Sequence, residues 1–483
     1  MVTMNLGDIA TAIGIPEIAV RLILTLFAAQ PLAIVYRRLV VDRRASPYVH
    51  HAYFTLTGLA LSYFCYGIAV VNSLVTICST YVLIRLAAAL NRPTLAPAAV
   101  FLFSMGYLLV GYYFSSTDSY DINWTTPQCV LTLKLISIAY DWSDGRAHVD
   151  EHVDDDLQKR PIGDLPSLAE MYGYGYHFGS FQTGPPFPFK RYRMFTSRRG
   201  KFGVDIPSPG RLPERQLLKG ILSLGIHSIF MIYVNSQTLQ SEPFISLPMP
   251  LGYLLCGLFG FVFATKYASI WLLMDAANVW SGMSYDTDKE KHGSVTWDSM
   301  TNILPYNLLF GTNMMTLIPS INIHTNQFVL HYIYKRLRFL NSKTLSQLGV
   351  MMFLSIWHGF HDGYFVAFFL CELPFVSAER HMMETFSPYF QSSPVLRYTA
   401  AFIGFTEKWI VWGYGLLVFQ LLHTERVMPM WRNLYYLPHI ICPIIWVMGS
   451  PMKRAVRKLW PLRSGGGGGN KGDETNGMVK KRQ

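Results

Sequence analysis

Two short segments concentrate the residues able to do chemistry. The first is Trp357-His358-Gly359-Phe360-His361-Asp362-Gly363-Tyr364, set in the otherwise apolar run Leu345 to Cys371. Neutral histidine is a natural general base near pH 7, since its unperturbed pKa is about 6.5. His358 and His361 stand three apart and share one helix face. Small Gly359 lets a ligand or another chain segment approach His358 closely. Ionisable side chains inside apolar spans are costly and are functional candidates by default. The structural alternative is a histidine satisfied by an interhelical hydrogen bond. Two histidines and an aspartate in one apolar stretch weigh against it. The second segment is Ser320-Ile321-Asn322-Ile323-His324-Thr325-Asn326. An asparagine amide can orient a hydroxyl or polarise a carbonyl. It can equally cap a helix or satisfy backbone at a break, and composition does not choose between these.

Positioning these residues falls to apolar elements. Of 483 residues, 51% are hydrophobic and only 15% charged, against about 25% charged in soluble domains. This excludes a disordered, collagenous or nucleic-acid-binding chain, and no nucleic-acid partner is expected. A crossing helix needs about 20 apolar residues. Candidates are Ile15 to Val35, Ala52 to Leu90 (long enough for two), Leu95 to Phe114, Leu217 to Val234, Ile245 to Met274, Ile303 to Ile318, Leu345 to Cys371, Tyr398 to Leu422 and Tyr435 to Met448. With Cys129 to Tyr140, which reads as a half-helix or a buried one, they amount to about ten or eleven crossings. The chain reads as one all-α, polytopic membrane domain over 1–463, followed by a flexible tail, 464–483. Residues 141–213 break the pattern, acidic first and basic later. They read as an extramembrane or interfacial insert rather than a free linker, because aromatic residues interleave with the charges.

The net charge is +11. In a membrane protein, lysine and arginine gather in cytoplasmic loops and contact anionic lipid headgroups. The basic clusters Arg37-Arg38, Arg43-Arg44 and Lys453 to Arg463 therefore place those stretches, and the C-terminus, in the cytoplasm. Lys480 and Lys481 near the end resemble a dilysine retrieval signal, which points to the endoplasmic reticulum membrane. The six cysteines are scattered with no CxxC, so neither a disulfide framework nor a metal site is expected.

The segment Trp357-His358-Gly359 then Gly363-Tyr364 resembles the WHGxxxGY motif of the membrane-bound O-acyltransferase superfamily. Asn322 lies 36 positions before His358, similar to the spacing in its lysophospholipid branch. The likeness continues through Tyr120-Asp121-Ile122, Thr132 to Leu135, Trp297-Asp298 and Tyr334-Lys335-Arg336-Leu337. It departs at His324, where the resembling enzymes often carry Asn, and at Asp362, where they carry a small polar residue. The resemblance implies a helical fold with re-entrant or interfacial helices and transfer of an acyl group from acyl-coenzyme A to a lysophospholipid hydroxyl. Acyl-CoA is then a co-substrate and no cofactor is needed. His358 would be the base, with Asn322 assisting. Trp357, His361, Gly363, Tyr364, Tyr334, Trp297 and Asp298 would help bind substrate, and the basic Lys335 and Arg336 would meet the phosphates of coenzyme A. A lysophosphatidylinositol-preferring or protein-acylating member of the superfamily remains open. So does a different class, a proton-coupled transporter using intramembrane His and Asp.

Overall fold

The structure, a computed structural model, describes residues 5–119, 122–147, 160–288 and 294–461. Tyr120, Asp121, the acidic residues of 150–156 and the 464–483 tail lie outside the described residues. The described chain is mostly helical, with a small antiparallel strand pair of Asp286–Asp288 and Ser294–Thr296. Helices satisfy their own backbone hydrogen bonds, which a water-poor environment demands.

Among the described residues, four helical stretches are long and apolar enough to cross a membrane: Glu17–Val41, Pro47–Ala89, Leu95–Ser115 and Met249–Ser281. The second divides as its length requires, into Pro47–Tyr66 and Val71–Ala89 around a turn at Gly67–Val70. So divided, the four stretches would make five crossings, against the ten or eleven expected. The other apolar runs are interrupted or less apolar. The run 303–318 breaks into Pro305–Phe310 and Met314–Leu317 around Gly311 and Asn313. The run 345–371 stops as a helix at His358. The run 129–140 falls within helix Thr125–Ala147, and residues 131–139 are buried without exception.

Residues 168–202 are packed rather than peripheral. Tyr174, Tyr176, Phe187, Phe189 and Tyr192 belong to the larger of two main apolar cores. Lys134 fastens this stretch to helix Thr125–Ala147. Its fully buried ammonium donates to the carbonyls of Tyr174 and Gly175 and to Ser180 Oγ, at 2.5, 3.3 and 3.0 Å. The ring of Tyr174 lies 4.3 Å away. Lys134→Met relieves the burial of a charge but leaves buried acceptors unpaired. We expect a net loss of about 1–3 kcal/mol, read as a lower melting temperature in detergent.

A second tie joins the same stretch to the hairpin. Asp286 accepts from Arg191 at 3.1 Å, from Lys201, and from Ser299 at 2.6 Å. Burial alone would raise its carboxyl pKa. The hydrogen bonds from Lys201 and Ser299 and the nearby guanidinium overcome this and hold it at about 2. A depressed folded pKa gives stability that is present above the unfolded value near 3.9 and is lost as pH falls through the folded value. Melting temperature should therefore drop between about pH 4 and pH 2, and Asp286→Asn should flatten that drop by about 2 kcal/mol.

The two main cores meet at one seam. Trp357 belongs to the larger and Tyr364 to the smaller, which gathers 256–263, 367–375 and 414–434. The motif that spans these two residues therefore crosses the boundary between the cores.

Candidate functional site

The catalytic candidates stand where helices break. Helix Lys343–His358 ends on His358 because Gly359 takes φ 132°, a backbone conformation open chiefly to glycine. The chain restarts at Asp362–Phe365, and Gly363 N–H donates to the Leu422 carbonyl at 2.9 Å. A Cβ on Gly363 would sit 2.3 Å from that oxygen, so the turn needs a residue without one. The break is held from behind. Trp357 Nε1 donates to the Cys129 carbonyl at 3.1 Å, and Tyr112 OH donates to the Trp357 carbonyl at 3.0 Å.

The His358 ring sits among aromatic rings. Centroid separations are 4.6 Å to Trp357, 4.9 Å to Phe419, 5.4 Å to Tyr364 and 5.5 Å to Phe368. Among the described residues none hydrogen-bonds this ring, so its nitrogens remain available to a substrate. The rings fix its orientation through packing.

Asn322 lies at the start of the short helix Ile323–Phe328, with φ 52° in the left-handed region that asparagine tolerates better than most residues. Asn302 clamps this turn. Its carbonyl accepts from Ile323 N–H at 3.2 Å, and its Oδ1 accepts from His324 N–H at 3.0 Å. Its Nδ2 donates to Asn322 Oδ1 at 3.4 Å. With that oxygen engaged, the Asn322 amide has its N–H groups left to donate. Asn322 and His358 line one cavity of about 230 Å³, together with Trp357, Gly359, His361 and Tyr364. Ser116 to Ser119, Thr183, Lys266 and Trp271 complete other walls of it.

Asp362, one of the two departures from the resembling motif, faces away from the reaction centre. It is exposed, accepts from Thr424 N–H at 2.9 Å and lies 3.2 Å from His423 Nδ1. It thus anchors the turn after Leu422. His361 packs its ring 5.0 Å from that of His423. His324, the other departure, is buried behind the Asn322 turn.

The remaining sequence candidates do not line this cavity. Lys335 is exposed, and Arg336 pairs with Asp144 at 3.0 Å while lying 4.7 Å over the Tyr140 ring. Tyr334 packs against the larger core. Trp297 packs its ring, tilted, 5.6 Å from that of Tyr285, and Asp298 is exposed with its carbonyl accepting from Thr301 N–H. In the 190–201 cluster, Arg191 is spent on Met283, Tyr285 and Asp286, and Arg193 on Glu170. Sequence reading passed over Asn302 and Lys266. Nothing local marks Asn302, which reaches the site through the bridge pairing Ile303 with Ile321. Lys266 did carry a signal, as the one cation in the apolar run 245–274.

Comparison with known proteins identifies the family. The model of the membrane-bound O-acyltransferase family matches residues 109–422, a span that contains both candidate segments. The chain is similar to lysophospholipid acyltransferase 5 of Homo sapiens, 32% identical over 94% of this chain and 95% of the relative. It is 34% identical to lysophospholipid acyltransferase 5 of Drosophila melanogaster, over 78% of this chain and 74% of the relative. It is 26% identical to membrane-bound glycerophospholipid O-acyltransferase 2 of Rattus norvegicus, over 94% and 88% respectively. The matched span, the helical architecture and the histidine and asparagine on one cavity converge: this chain is an O-acyltransferase belonging to the membrane-bound O-acyltransferase family.

Proposed function

We propose that the protein transfers a fatty acyl group from acyl-coenzyme A to the free sn-2 hydroxyl of a lysophospholipid. Lysophosphatidylcholine is the first acceptor to expect, with the serine and ethanolamine counterparts beside it. The observation that carries this reading is the placement of an unengaged His358 ring and the Asn322 amide on one cavity. His358 accepts the hydroxyl proton as the substrate oxygen attacks the thioester carbon. The free Asn322 N–H groups donate to the carbonyl oxygen as it gains negative charge. Collapse of that intermediate breaks the carbon–sulfur bond, and the proton on His358 passes to the departing thiolate. No covalent enzyme intermediate and no cofactor enter the scheme. The names of the relatives at about 30% identity support the lysophospholipid acceptor.

The reaction belongs, in this reading, to remodelling of phospholipids in the endoplasmic reticulum membrane, with the C-terminus in the cytoplasm. Purified full-length protein tests the assignment by thiol release from arachidonoyl-CoA with a panel of lysophospholipids. Release that depends on lysophosphatidylcholine supports the reading. Strong preference for lysophosphatidylinositol, or stimulation only by a peptide, moves the assignment elsewhere in the family. Well-folded protein that releases no thiol with any acceptor overturns it.

A further inference from the structure

The cavity that holds His358 and Asn322 has one feature outside the acyl-transfer scheme. Among the described residues lining it, Lys266 is the only lysine, arginine, aspartate or glutamate. It projects from Met249–Ser281, one of the apolar helices long enough to cross a membrane. The next turns of that helix bring Ile270 and Trp271 to the same wall. Its ammonium lies 5.4 Å from the ring centroid of Tyr267 and 5.9 Å from that of Phe263, whose electron-rich faces favour a cation.

We propose that Lys266 recognises the phosphodiester of the acceptor lysophospholipid and so positions its hydroxyl at His358. The inference rests on the lysophospholipid reading above and names the group that discriminates the acceptor. Its argument is one of chemical distance within the two substrates. In a lysophospholipid, two glycerol carbons and the ester oxygen separate the reacting oxygen from phosphorus. When the hydroxyl reaches His358, the phosphate must therefore be inside the cavity or at its wall. In acyl-coenzyme A, the whole pantetheine arm separates the thioester from the nearest phosphate. Its reacting end enters uncharged, and its anions stay well away. The acceptor phosphate is the one obligatory anion near the reaction centre, and among the described residues Lys266 is the one lysine or arginine lining it. A charge-assisted hydrogen bond in a dry site is short and strong, while an unpaired phosphate there would be costly. The flexible four-carbon stem lets the ammonium follow the phosphate, whereas headgroup atoms beyond it make no claim on this residue.

The test compares Lys266→Met and Lys266→Arg with wild type, all as full-length protein in detergent, with melting temperature checking the fold. Two acceptors carrying the same acyl chain are used: lysophosphatidylcholine and the uncharged monoacylglycerol. Equilibrium binding and acceptor-dependent thiol release are both measured. We expect Lys266→Met to lower the ratio of lysophosphatidylcholine to monoacylglycerol kcat/KM by about tenfold or more, chiefly through KM. The same ratio of binding constants should fall in parallel, and Lys266→Arg should recover most of both. Equal losses with both acceptors, or a rise confined to the KM for acyl-CoA, would overturn the proposal. So would an unchanged ratio. Should Lys266→Met not fold, the arginine variant and Lys266→Gln carry the same comparison. The binding arm separates the two ideas. Wild type that binds lysophosphatidylcholine through Lys266 but transfers no acyl group defeats the acyltransferase reading and leaves this inference standing.

Discussion

Replacing His358 by alanine should lower kcat for acceptor-dependent thiol release by about 10³-fold or more, with the protein still folded. The size follows from the role. A hydroxyl is a poor nucleophile until its proton leaves, and no other group in the described cavity wall is placed to take it except His361. That second ring packs on His423 near the exposed Asp362 and meets the aromatic cage only at its edge, 6.0 Å from the Tyr364 ring. His361→Ala should accordingly lose much less activity than His358→Ala. The cage sets the expected structural cost. Removing the imidazole leaves a gap among Trp357, Tyr364, Phe368 and Phe419, which lowers stability modestly. His358→Gln refills most of that volume without supplying a base, so it should melt near wild type and remain inactive. If the glutamine variant keeps more than a tenth of wild-type turnover, His358 is a packing residue and the base lies elsewhere.

The second large effect is expected at Asn322, and its backbone decides how to measure it. The residue sits at φ 52°, where a Cβ without a compensating polar side chain is unfavourable by about 1–2 kcal/mol. Asn322→Ala therefore mixes a strained turn with a lost amide. Asn322→Gly relaxes the turn and removes only the amide, so it isolates the chemistry. We expect the glycine variant to lose about 10²–10³ in kcat, the range seen when one oxyanion donor is removed, with little change in melting temperature. Asn322→Asp should be no better, because a carboxylate repels the developing oxyanion. A glycine variant that works while the alanine variant fails would reduce Asn322 to a turn residue. Loss through the KM for acyl-CoA alone would make it a binding group rather than a stabiliser of the transition state.

How far the residues could be read without a structure differs from one part of the site to the next. The histidine was legible because its signals are local. A glycine-flanked histidine in an apolar run, with a second histidine one helix turn on, needs no knowledge of distant contacts. The break was not read: Leu345 to Cys371 looked like one crossing with His358 and His361 on one helix face, whereas Gly359 at φ 132° ends the helix at His358 and puts His361 ahead of the next one. Asn322 was legible as a polar residue at a break, though its two candidate roles were not separable. In the structure its backbone begins a helix without a side-chain capping bond, and the residue lines the cavity.

The basic residues show the opposite case. Lys335 and Arg336 were chosen for their nearness to Asn322 along the chain. Helical rotation turns them away from the cavity, and Arg336 finds Asp144 from a helix nearly two hundred residues earlier. Lys266, far from both segments in sequence, reaches the cavity wall instead. Likewise the 168–202 stretch read as extramembrane or interfacial by its charges; Asp286 and Glu170 pair with Arg191 and Arg193, Lys134 donates to its carbonyls, and its aromatic residues fill the core.

Residue type and the length of the apolar runs pointed to a helical membrane protein, and the resemblance carried by Trp357 to Tyr364 and Asn322 implied its family and the histidine to test as base, because those signals are written within short stretches of chain. Where the cavity lies, which cation lines it and which charges are spent on packing depended on tertiary structure. They arise where two cores meet and where segments remote in sequence pack together. The deciding energies there are burial and pairing, which depend on neighbours that no local pattern names.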